Sequence, residues 1–178
     1  HQVFIRIQSV LSMIYQGFGI ASMTLVGKNL GAEEEHLAMK TGRMAGRVAL
    51  FTSLGIAVVL IVFQKYILAA FTSHSQVIAY GRQVIYALAI LQIPRAVNAV
   101  FAGNLRGGAD LNWLMWLSIC SVLTFEIIGA YLLTVVFLLG LAGLWSIQTV
   151  DETARLFLNY YRFRRKKWKR VEIGTSPH

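Results

Sequence analysis

Eight polar side chains lie where an apolar chain has least reason to carry them: Gln92, Arg95, Asn98, Glu126, Gln148, Asp151, Glu152 and Arg155. Each falls within a long apolar run. A charge at the centre of a membrane helix costs roughly 2.5–3.5 kcal/mol on insertion scales, so such residues usually line a water-filled path or hold an ion. In the last run Gln148, Asp151, Glu152, Arg155 and Asn159 follow at intervals of 3, 1, 3 and 4. At about 100° per residue they share one helical arc about 100° wide. Gln92, Arg95 and Asn98 share an arc of about 120° beside Pro94. In the first run Gln8, Ser12, Tyr15, Gly19 and Ser22 form a third narrow face. Three such faces on separate helices fit one shared cavity, the usual setting of a transport path. Each also has a packing reading. Asp151 and Arg155 can neutralise each other at i,i+4. The small-residue face of the first run can be a helix seam. Pro94 can simply kink its helix and free a carbonyl.

Two acids against one base on the last run leave one carboxylate without an in-helix partner. Glu152 is that residue, because Asp151 has Arg155 four positions on; it is the expected proton or Na⁺ carrier. Arg95 cannot shed its proton and must find an anion. Glu126, Asp151 and Glu152 are the internal candidates, a further part of a longer chain and an anionic substrate group the external ones, and an internal carboxylate is expected. Other chemistry lacks its residues. No Gly-rich phosphate loop with Lys, HExxH or GxSxG occurs. His1, His36, His74 and His178 lie in loops or at ends, and Cys120 is alone. The expectation is no catalytic residue, no metal site, no enzyme and no cofactor.

These residues need long helices to position them. Of the 178 residues 56% are hydrophobic and 14% charged, against roughly 25% charged in soluble domains. A helix crosses the hydrocarbon in about 20 residues. The expected fold is all-α: a polytopic membrane helix bundle of about five transmembrane helices at 3–26, 48–71, 84–102, 113–139 and 141–161. A basic cytoplasmic tail follows at 162–178. No alternating ten-residue strands suggest a barrel. The stretch GKNLGAEEEHLAMKTGR reads as an interfacial helix leading into the second span. The spacings Gly27–Gly31, Gly42–Gly46 and Gly103–Gly107 read as turns or close helix ends rather than helix-pairing motifs.

The net charge of +9 is unevenly placed. Lys28, Lys40, Arg43, Arg47, Arg106 and seven residues from Arg162 to Arg170 fall on one side of the expected bundle, with Arg82 opposite. The positive-inside rule makes that side cytoplasmic. The basic cluster fits anionic lipid, at about 1 kcal/mol per charge, so membrane lipids are expected partners and nucleic acid is not. Residue 1 is His, and the first helix starts outside. We therefore expect a piece of a longer chain, with one more helix before Val3.

Several stretches resemble one family. LVGKNLGAEEEHLAMKTGR resembles the Val-Gly-Gln-x-x-Gly-Ala helix end and helical loop of multidrug and toxic compound extrusion (MATE) transporters, with Lys28 where Gln is usual. AAFTSHSQVIAYGRQ is similar to their Leu-Phe-Thr-x-Asp-x-x-Val segment, with His74 for the acid. QIPRAVNAVFAGNLRGGAD resembles their helix ending in Leu-Arg-Gly-x-Gly-Asp, with Ala109 for the last Gly. LGLAGLWSIQTVDETARLFLNYYRFRRKKW resembles their last helix and basic end. The resemblance runs in order from about Gly17 to Trp168. It implies the C-terminal lobe of a twelve-helix antiporter of the cell membrane, with the N-terminal lobe as partner. It also implies export of small amphipathic, often cationic substrates in exchange for Na⁺ or H⁺. Some members carry an acidic cation site where this chain has Arg95, so no cation ligand carries over. The rival readings are a lipid-linked oligosaccharide flippase of the same superfamily, which Arg95 favours, and a non-transporting structural membrane subunit. The chain alone is not expected to transport, since alternating access moves one lobe against another.

Overall fold

The computed structural model describes residues 2–69, 75–129, 131, 140–165 and 168. These are helical almost throughout, and no strand occurs among them. The helices are α1 (Gln2–Gly31), α2 (Glu35–Val62), α3 (Gln64–Ala69), α4 (Ser75–Gly107), α5 (Leu111–Ser121) and α6 (Gly140–Arg164). α5 continues as a π-helical stretch over Val122–Gly129. Among the described residues four segments are long and apolar enough to cross a membrane: Arg6–Gly31, Glu35–Val62, Val84–Gly107 and Leu111–Gly129. α6 is equally long, but its polar stripe lowers its hydropathy. The bundle is an all-α membrane fold, with α1, α2 and α6 packed along α4.

α4 is the axis because it is the helix the others bury. Of its apolar window 61% is buried, against 22% for α1 and 28% for α2. Leu88, Ala89, Leu91, Ala96, Val100 and Leu105 of α4 are almost wholly enclosed. Large apolar residues elsewhere, including Met13, Phe51, Val62, Trp116 and Ile127, face outwards, as lipid-facing side chains do. α4 runs unbroken through Pro94. In the turn before it, Gln92 Nε2 donates to the Leu88 carbonyl at 2.8 Å.

The glycine spacings are helix-packing devices, contrary to the reading of them as turns. A β-carbon on Gly19 would stand 2.8 Å from the Ala99 carbonyl oxygen, and one on Gly107 would stand 2.6 Å from that of Met23. One on Gly103 would collide with the Gly19 backbone. α1 and α4 therefore touch backbone to backbone, which only residues without a β-carbon permit. Gly42 and Gly46 of α2 likewise admit the Phe163 and Phe101 rings. The stretch read as an interfacial helix is no separate element: it holds the last turn of α1, the turn at 32–34 and the start of α2, which runs without a break into the span.

Beyond the bundle's end the chain stays docked. Arg162 grips Asp110 through Nε at 2.7 Å and Nη2 at 3.1 Å, and its guanidinium lies 4.8 Å from the Trp113 ring centroid. Phe163 and Trp168 are buried, stacked at 5.4 Å, and Trp168 covers Gly108. Arg162, the first residue of the expected basic tail, is thus an ion-pair partner of Asp110. These contacts, with Gly42 against Phe163 and Asn104, gather the α1–α2 loop, Arg106 and the C-terminal turn of α6 at one end of the bundle. His74, Lys166, Lys167, Lys169, Arg170 and the 132–139 part of the expected fourth span lie outside the described residues.

Ala109, where the resemblance has Gly, adopts φ 60°. That left-handed geometry costs a residue with a β-carbon roughly 1–2 kcal/mol, partly offset by the smaller entropy Ala loses on folding. Ala109→Gly should therefore stabilise the protein by about 0.5–1 kcal/mol, read as a higher thermal midpoint in detergent.

Candidate functional site

α4 and α6 lie side by side, and their polar faces meet. Arg95 Nε is 3.4 Å from Glu152 Oε1, and Asn98 Nδ2 donates to Glu152 Oε2 at 2.8 Å. Asn159 Nδ2 donates to Asn98 Oδ1 at 2.9 Å, and Trp113 Nε1 of α5 donates to Asn159 Oδ1 at 3.1 Å. A second cluster faces α5. Arg155 Nε donates to Ser121 Oγ at 2.7 Å and to Asp151 Oδ1 at 3.2 Å, and the Ser121 hydroxyl donates to the same carboxylate. Gln148 Oε1 accepts from Gln8 Nε2 of α1 at 3.5 Å. All five stripe residues of α6 therefore have partners, mostly on other helices. Burying such groups costs free energy unless they are paired, and here they are.

Between α1, α4, α5 and α6 a polar cavity of about 370 Å³ remains. Arg95, Asn98, Glu152, Arg155 and Asn159 line it, with Tyr15 and Ser12 from α1. The three polar faces thus share one space. The other expected site residues stand apart. Gln92 is buried within α4, and Gln148 is engaged with α1 outside the cavity wall. Asp151 is buried against Ser121, and Glu126 is exposed on the π-helical stretch. Of the three carboxylates open to Arg95, Glu152 is the one it meets. Glu152 is accordingly no free carboxylate: Arg95 and Asn98 occupy both its oxygens. Its expected lack of a partner holds only along its own helix, because a neighbouring helix supplies the base.

Sequence reasoning missed Arg106, Gln16 and Ser118 on the cavity wall, and Ser121 beside it. Ser118 and Ser121 carry a signal, as an i,i+3 hydroxyl pair in an otherwise apolar run. Arg106 does not, since a helix-end cation is ordinarily solvated.

The profile of the MatE family matches residues 1–132. The chain belongs to the MatE family. It is similar, at 24% identity over 98% of its length, to a probable multidrug resistance protein NorM of Thermotoga maritima. Over 63% of its length it is 33% identical to the multidrug resistance protein NorM of Photobacterium profundum. The crystal structure of the eukaryotic MATE transporter AtDTX14 superposes with a TM-score of 0.82 over 94% of this chain, at 24% identity, which shows a shared fold. The chain spans 38% of the Thermotoga protein's length and 38% of the AtDTX14 chain. As a MatE chain it is a membrane transporter sequence. The Lys28, His74, Arg95 and Ala109 departures lie inside the matched region.

Proposed function

We propose that this chain forms part of a secondary active multidrug efflux antiporter. On this reading it exports amphipathic compounds across the cell membrane in exchange for Na⁺ or H⁺. The supporting observation is the polar cavity walled by four helices of a MatE bundle, with the Arg95–Glu152 pair at its side. Glu152 takes up the coupling ion in competition with Arg95, whose ion pair weakens when a proton or Na⁺ neutralises the carboxylate. The basic segments gathered at one end of the bundle support a cytoplasmic C-terminus.

The full-length protein in proteoliposomes tests this reading. An imposed Na⁺ or H⁺ gradient should drive efflux of an amphipathic dye, and Glu152→Gln should abolish the coupling. Unchanged coupled transport in Glu152→Gln overturns the carrier role. A second reading, a lipid-linked oligosaccharide flippase, is favoured by the guanidinium-rich lining and gives lipid scrambling without a gradient. No flux of either kind leaves the polar contacts as helix–helix bonds alone. Orientation is checked with single cysteines at Lys40, Arg164 and His74 in a Cys120→Ala background. Labelling from outside intact cells should reach position 74 and spare the other two; the opposite pattern reverses the topology.

A further inference from the structure

We propose that the cavity between α1, α4, α5 and α6 binds the acidic group of an amphipathic molecule, a carboxylate or phosphate, through Arg95 and Tyr15. This names the substrate class of the efflux reading and rests on it. Three guanidinium side chains line the cavity, Arg95, Arg106 and Arg155, against one carboxylate, Glu152. That carboxylate is already committed, with Arg95 Nε on one oxygen and Asn98 Nδ2 on the other. Arg155 is balanced by Asp151 just outside the wall, so the surplus positive charge that a cationic group would meet as repulsion is that of Arg106.

Two donors belonging to wall residues are unfilled. Arg95 Nη1 is shielded from solvent and has no hydrogen-bond partner among the described residues. The Tyr15 hydroxyl, on a side chain 1% exposed, has none either. Both residues line the cavity, from α4 and α1 respectively. Buried donors are normally satisfied, and a guanidinium cannot escape the requirement by losing its proton. An acceptor bearing negative charge suits both, with charge-assisted bonds stronger than those of a neutral acceptor. Leu114 and Leu117 of α5 supply apolar wall for the rest of the molecule. An acid on an apolar body therefore fits these two donors and the apolar wall beside them.

The test uses the full-length protein in neutral-lipid nanodiscs and three probes: a dansylated fatty acid, its methyl ester and the matched amine. The acid should bind about tenfold or more tightly than the ester, and the amine more weakly than either. Tyr15→Phe removes only the hydroxyl and should cut the acid's affinity severalfold, leaving the ester's unchanged. Arg95→Gln strands Glu152 and can prevent folding, so Arg95→Gln/Glu152→Gln is the paired variant, and it should erase the preference for acid. Equal binding of acid and ester, tighter binding of the amine, or a preference that survives both variants overturns the proposal. Competition identifies the source of the acid. Displacement by phosphatidylglycerol in the disc, but not by a short alkyl phosphate, assigns a lipid head group; the reverse assigns a soluble amphipath. Flux keeps this proposal separable from the efflux reading. Gradient-driven dye export without acid preference removes the anion site and leaves the antiporter. Acid-selective binding without any driven flux does the opposite.

Discussion

Gly103→Ala is expected to cost at least about 3 kcal/mol, the upper range for inserting a methyl group into a close-packed contact. The added carbon would strike the Gly19 backbone of α1, and no rotamer change relieves a clash with main chain. Gly103→Leu should leave no folded protein. Thermal midpoints by fluorescence-detected size exclusion of the full-length protein report the effect. The control is Gly55→Ala on α2, where a β-carbon meets nothing within 4 Å; it should lose no stability, because alanine is the better helix former. Equal midpoints for Gly103→Ala and the unmodified protein would show that α1 and α4 do not touch as described.

Arg95→Ala has the second largest effect. It leaves Glu152, whose side chain is 14% exposed, as an unpaired charge among apolar helices. Removing one partner of a buried pair costs about 3–5 kcal/mol, and the residual exposure puts this case near 3. Adding Glu152→Gln removes the stranded charge while the new amide still accepts from Asn98. The double variant should therefore recover part of the loss, with a coupling of about 1–3 kcal/mol between the two positions. The same recovery is not expected from Arg95→Ala with Asp151→Asn, because Asp151 is held by Arg155 and Ser121. Additive losses in Arg95→Ala/Glu152→Gln would dissolve the pair.

The bundle and the direction of its polar faces are legible in residue order. Hydrophobic runs set the helices, and the spacing of Gln148, Asp151, Glu152, Arg155 and Asn159 confines them to one side whatever they pack against. Which carboxylate serves Arg95 is not legible, because Asp151 and Glu152 are neighbours on one arc and helix rotation decides between them. The glycine seam was misread for a related reason. Gly103 and Gly107 stand next to the α4–α5 loop in sequence, yet α4 carries its helical geometry through Gly107. Sequence distance from a loop said nothing about which face the glycines present to α1. The docking of Arg162 and Trp168 was hidden by composition, since a run of Arg and Lys after an apolar helix looks solvated until Asp110 is brought beneath it.

The backbone contact between α1 and α4 restricts how this part of the molecule can move. Where helices meet through long side chains, they slide by small rotamer adjustments, the shear motion of packed elements. Where Gly19, Gly103 and Gly107 bring main chain against main chain, there is no side chain to adjust. α1 and α4 should then travel as one rigid body, and spin-label distances between them should hold constant across every state of a transport cycle. Opening or closing of the cavity falls to its other walls. α5 is held to α6 by the Trp113–Asn159 and Ser121–Asp151 hydrogen bonds, contacts that break and re-form without repacking a core.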